Sequence, residues 1–248
     1  MNAAIHNARC VFKRELQGYF ATPVAYVFLV IYLILAGVFT WYLGGLYEQD
    51  QADLTPFFSF QPWLFLALIP ALAMRLWAEE RHSGTIELLL TLPISPGQAV
   101  LGKFLAAWLF VGVALALTVG EWITVAWLGG PDHGVIATSY LGTLLLAGGF
   151  LSIGACLSAL TRNQVVAFVL SISIGFLFIL SGYPAVLEFA EALLPDFLVG
   201  SVRQMSFLTH FNGIVRGVID ARDVVFFLSL IGVFLFANTV IIDAKKAD

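Results

Sequence analysis

The chain has 248 residues, of which 60% are hydrophobic and only 11% charged, with a formal net charge of -4. A soluble domain carries charge on about a quarter of its residues, so this composition excludes a soluble enzyme or binding module and reads as an integral membrane protein. Charge-free intervals at 16–47, 54–74, 104–120, 134–161, 163–187 and 224–242 each approach or exceed the ~20 residues that cross a bilayer as a helix. None of them alternates as a membrane β-strand would. The expected fold is all-α, one transmembrane domain over 1–248 with six spans.

In chain order, residues 1–22 predict an amphipathic elbow helix. Ile5, Ala8, Phe12, Leu16 and Phe20 recur at three and four, while Arg9, Lys13 and Arg14 supply a basic face. That pattern suits a helix lying along an anionic leaflet, or an amphipathic cap on the bundle. Pro23 turns the chain into span one, about Val24–Leu43, which is expected to stay in the membrane as an anchor. Span two, Gln61–Leu76, holds Pro70 and should kink there. Span three is about Gly97–Leu128. Span four, about Ser139–Leu160, carries Gly142, Gly148, Gly149, Ser152 and Gly154, which suits a central packing helix. Span five is Val165–Leu180. The segment 183–222 reads as two short helices that dip into the membrane and return, and span six, Asp223–Ile242, has Asp223 as its expected N-cap.

Between spans two and three lies AEERHSGTIELLLTLPISPGQAVLGK, from Ala78 to Lys103. Glu79, Glu80 and Arg81 force the chain out of the hydrocarbon, and the leucine-rich run that follows is too apolar for an idle loop. An interfacial helix, a plug in the bundle and a docking element for a partner all fit. Ser95 and Pro96 are the expected cap and first residue of the next helix. With the N-terminus inside, nine lysines and arginines fall at the cytoplasmic side and Arg203, Arg216 and Arg222 outside, so both termini and 79–96 are expected in the cytoplasm.

No nucleotide-binding loop, Cys-x-x-Cys or His-Glu-x-x-His occurs, and the four histidines are scattered over different loops, so no catalytic, cofactor or metal site is expected. Cys10 and Cys156 are expected to stay unbridged. Glu121, near the outer end of span three, is the one ionisable group expected inside the membrane. It suits an interfacial contact, an ion pair or a translocation surface.

This layout resembles the permease of type-two ABC exporters. The echo lies in EERHSGTIELLLTLPIS from Glu79, in Gly102-Lys103-Phe104 after it, and in NGIVRGVIDARD from Asn212. KRELQGYFATPVAYVF from Lys13 is similar to the gliding-motility branch of that family. The resemblance implies a non-enzymatic subunit of a bacterial inner-membrane exporter. It would pair with a second permease copy or a homologous permease, above two ATPase subunits that bind ATP and magnesium. Glu79, Glu80, Arg81, Gly84, Thr85, Glu87, Leu88 and Leu89 would form the coupling element, with Phe207, Phe211 and Arg216 as candidates for an outer gate. Membrane lipids and a membrane protein with a large extracytoplasmic domain are further implied partners; nucleic acid is not. A scaffold or mechanotransmission subunit that passes no substrate is the alternative, and a secondary transporter or channel has less in its favour.

Overall fold

In the computed structural model, residues 2–46, 52–85, 94–193 and 196–245 are described, and every regular element among them is a helix. Helix α1 (Asn2–Ala21) ends at Thr22, whose extended backbone before Pro23 turns the chain into α2 (Pro23–Gly37). A π-helical turn, Val38–Leu43, continues α2 up to Gly44 and Gly45, so the first span ends at Leu43 as expected. Then come α3 (Thr55–Ala73), α4 (Arg75–Ser83), α5 (Pro96–Leu117), α6 (Val119–Leu128) and α7 (His133–Leu160). The chain continues through α8 (Gln164–Leu180), three short helices α9 (Pro184–Leu193), α10 (Asp196–Gln204) and α11 (Phe207–Val215), and α12 (Ala221–Ala244).

Five stretches are long and apolar enough to cross a membrane: Pro23–Leu43, Thr55–Ser83, Pro96–Leu128, His133–Leu160 and Ala221–Ala244. The remaining expected span, α8, is a 17-residue apolar helix. At 1.5 Å per residue it is about 25 Å long, against a hydrocarbon core of about 30 Å.

Several boundaries differ from expectation for identifiable reasons. The second span breaks at Met74, one turn after Pro70, and Met74 N–H still donates to the Pro70 carbonyl at 2.9 Å. The third breaks at Thr118, whose carbonyl accepts from Glu121 N at 2.9 Å in a tighter turn and also from the Tyr140 hydroxyl at 3.0 Å. The N-cap of α12 is Asp220, accepting from Arg222 N at 2.9 Å; Asp223 is a first-turn residue with a different partner. Segment 183–222 forms three short helices where two were expected, because the Ser206 hydroxyl caps a new start at Phe207.

The centre of the bundle is α7. Its most apolar window is 83% buried, against 28% for the first and last spans. Small residues make this possible: a Cβ on Gly154 would stand 2.5 Å from the Ala73 Cβ, so α3 and α7 approach to a distance that only glycine allows. One end of the bundle gathers α1, α4 and the last residue of α7; the other gathers α6, α9, α10 and α11. At that second end the Phe207 ring packs between Phe150 and Phe178, with centroids at 4.8 and 4.9 Å. Among the described residues both cysteines are free, Cys10 exposed and Cys156 buried.

Candidate functional site

The end that holds α4 is built around a helix break. The first amides of a helix have no intrahelical acceptor, and in α4 those of Trp77 and Ala78 are buried. Ser158, near the end of α7, takes both: its Oγ accepts from Trp77 N at 3.1 Å and Ala78 N at 3.0 Å, and donates to the Met74 carbonyl at 2.8 Å. One hydroxyl therefore joins both sides of the break to the central helix. The carboxyl end of α7 is held as well. Arg81 Nη1 donates to the Ala159 carbonyl at 2.7 Å, and Lys245 Nζ reaches Ala159 and Leu160 carbonyls at 3.2 and 2.7 Å. Cations are favoured at a helix C-terminus, where carbonyls lack partners.

A second device links α4 to α1 and α5. Lys103, about two turns into α5, is 2% exposed, and its Nζ lies 2.8 Å from Glu80 Oε1 and 3.2 Å from Glu15 Oε1. Arg14 closes the group, 2.6 Å from Glu15 and 3.6 Å from Glu80. The ammonium also lies 5.2 Å from the centre of the Trp77 ring. Burial by itself would raise the Glu15 carboxyl, but Lys103 and Arg14 outweigh it and hold the group below its ordinary value. The Glu80 Oε2 atom is buried with no hydrogen-bond partner among the described residues. The start of α5 is fixed by a reciprocal cap, Ser95 Oγ accepting from Gln98 N at 3.4 Å and Gln98 Oε1 accepting from Ser95 N at 3.2 Å. Ser95 as the cap and Pro96 as the first helical residue are as expected; the part played by Gln98 was not foreseen.

The residues that the resemblance implies for coupling thus divide. Glu79 pairs with Arg75 through two oxygens at 2.7 and 3.0 Å, Glu80 joins the ion cluster, and Arg81 holds α7. Gly84 ends α4 at φ +74°, a left-handed conformation that favours glycine, and the Thr85 and Ser83 hydroxyls meet at 2.9 Å. Glu87, Leu88 and Leu89 lie outside the described residues. On α1, Arg9 and Lys13 are exposed and only Arg14 joins the cluster. Beside this end, a groove of about 540 Å³ runs between α1–α2 and α3–α4, apolar along Val27, Phe28, Ile31 and Leu72 with Arg75 and Glu79 among its polar lining residues.

At the opposite end, Phe207 and Phe211 are buried and Arg216 is exposed. Glu121 accepts a short hydrogen bond from the Trp41 indole, which joins the π-helical turn after α2 to α6. His210 bonds Asp223 at 2.6 Å. Among the described residues no three His, Cys, Asp or Glu side chains lie together in a way that could hold a metal ion.

The family model described as ABC-2 family transporter protein matches residues 10–229. The chain belongs to that family. This ABC-2 protein is therefore a multi-pass membrane subunit, a permease of an ABC transporter, and the family implies an ATPase partner. No curated protein matches the chain. Sequence reasoning missed Glu15, Ser158 and the inward role of Lys103 in this permease. The available signal was an acidic residue inside a basic helix and a lone lysine inside an apolar run.

Proposed function

We propose that this permease transmits the closure of partner ATPase subunits into the membrane through α4 and the segment that follows it. Glu79, Glu80, Arg81, Gly84, Thr85, Glu87, Leu88 and Leu89 take up the movement, and ATP and magnesium act in the partner. Two permease chains, or this chain and a homologous permease, stand above two ATPase subunits in a bacterial inner membrane and drive export. Both termini and the α4 end face the cytoplasm, in keeping with the nine-to-three excess of lysine and arginine on that side. α8 counts as the fifth of six spans, α1 as the elbow, and α9 to α11 as the outer segment, with Phe207, Phe211 and Arg216 at its gate. The start of the chain favours the gliding-motility branch, which adds a membrane protein with a large extracytoplasmic domain as a partner.

The observation that carries this reading is the double attachment of α4, through Ser158 to the central helix and through Glu80 to Lys103 and Glu15. A push on the residues after α4 would reach α7, α5 and α1 together. The test is to replace Leu88 and Leu89 together by alanine. Truncating central apolar anchors of an interface costs about 2 kcal/mol or more, so recovery of the ATPase with the permease, or permease-dependent ATP hydrolysis, should fall while membrane insertion is retained. Wild-type values of both would reassign the segment to the membrane surface.

A further inference from the structure

His210 sits between two oxygens that can only accept. Its Nδ1 lies 2.6 Å from Asp223 Oδ1 on α12, and its Nε2 lies 2.9 Å from the Gln204 carbonyl at the end of α10. The ring stacks on Phe226 with centroids 4.0 Å apart and planes 18° apart, so it is held flat against α12. The Asp223 carboxylate is seated too: its Oδ2 lies 2.8 Å from where a Cβ on Gly213 would stand. Side-chain exposure is 14% for His210 and 15% for Asp223, which limits the access of water to the bond between them, whereas the bond to the Gln204 carbonyl is exposed.

A neutral imidazole has one N–H and one bare nitrogen, whereas the protonated ring has two N–H groups. Facing an ionised carboxylate and a carbonyl, the protonated ring satisfies both, and its bond to Asp223 becomes charge-assisted and about twice as strong as a neutral one. The neutral ring must turn a lone pair toward one of the two oxygens. Among the described residues Asp223 is the only carboxylate within 4.0 Å of His210. The other ionisable groups on the helices packed against α11 are Arg222 and Asp243 on α12 with Asp220 at its cap, Asp196 and Arg203 on α10, and His133, Tyr140 and Cys156 on α7; α3 and α8 carry none.

We propose that His210 and Asp223 form a proton-dependent latch that fastens α10 and α11 to the last long helix. The latch is closed when His210 carries its proton and looser when it is neutral. Histidine is the side chain whose charge ordinarily changes nearest neutrality, so pH is the variable that tests the latch. In the orientation proposed above that end is extracytoplasmic, but the latch does not depend on what the chain transports or on which ATPase drives it.

The test is amide hydrogen exchange on the purified full chain in lipid nanodiscs at pH 6 and pH 8, corrected for the intrinsic pH dependence of exchange and read over residues 207–215. The wild-type protein should lose about tenfold in protection at the higher pH, an average linkage of about half a proton across the two units, while residues 139–158 of α7 stay unchanged. Asp223→Asn, which keeps the shape and removes the charge, should abolish the difference, and His210→Gln should do the same. Equal protection at both pH values in the wild type would overturn the latch, as would a wild-type pH response in Asp223→Asn. Should His210→Gln fail to fold, the wild-type and Asp223→Asn measurements decide alone.

Discussion

Lys103 Nζ lies 2.8 Å from Glu80 Oε1 and 3.2 Å from Glu15 Oε1, so one buried ammonium holds carboxylates from two other helices. Removing one partner of a buried ion pair strands the charges left behind and costs about 3 kcal/mol or more. Lys103→Met should therefore lower the unfolding midpoint in detergent strongly. Adding Glu15→Gln and Glu80→Gln in the same chain should recover part of the loss, because the stranded charges are then gone. Urea or thermal unfolding of the single and triple variants measures both.

Ser158 and Ser152 stand on the same helix and differ in partners. Ser152 returns its hydroxyl to Gly149 at 2.9 Å within α7, whereas Ser158 satisfies two amides and a carbonyl across the break between α3 and α4. Ser158→Ala leaves those buried groups unpaired and should cost about 2 kcal/mol or more. Ser152→Ala should cost well under half of that. Comparable losses in the two variants would remove the special standing of Ser158.

Acid should loosen the α1 contact before it unfolds the bundle. The folded Glu15 carboxyl is held below its ordinary value of 4.5, so its contribution is fully present above that value and is lost as pH falls through the lower folded value. The wild type should lose melting temperature below about pH 4.5 more steeply than Glu15→Gln. Parallel curves for the two would show that other carboxylates govern the acid limb.

Gly84 offers a clean test of backbone conformation, since a Cβ there meets nothing within 4 Å and φ is +74°. Gly84→Ala should cost about 1 kcal/mol from the left-handed conformation alone, and Gly84→Asn less, because asparagine tolerates that region better. The ranking can be read from thermal midpoints.

The proposed sidedness rests on the lysine and arginine excess. With exposed Cys10 replaced by serine, a single cysteine at Asp132 should react with an impermeant thiol reagent added to intact cells, and one at Ser83 should not. Reaction at Ser83 from outside would invert the orientation.

Features set by neighbouring residues were legible in the sequence. Ser95 and Pro96 start α5, Pro23 opens the first span, and the glycines of α7 mark the packing helix, because caps, prolines and small-residue stripes act within a turn or two. What depends on distant partners was not. Asp220 and Asp223 both suit an N-cap, and His210 decides between them by taking Asp223. Pro70 announces a weak point in the second span, yet the break settles at Met74, where Ser158 can replace the lost ladder bonds. Nothing local tells that Glu15, on a helix with an otherwise basic face, is the carboxylate that meets Lys103.

The Ala159 carbonyl receives both Arg81 and Lys245, at 2.7 and 3.2 Å. A fluorescent protein or affinity handle fused immediately after Lys245 would therefore tug on the same oxygen that anchors α4, and its effect would be mistaken for a defect in energy transduction. Handles are better attached through a flexible spacer of a dozen or more residues, or placed in the loop at Gly129 and Gly130, at the far end of the bundle.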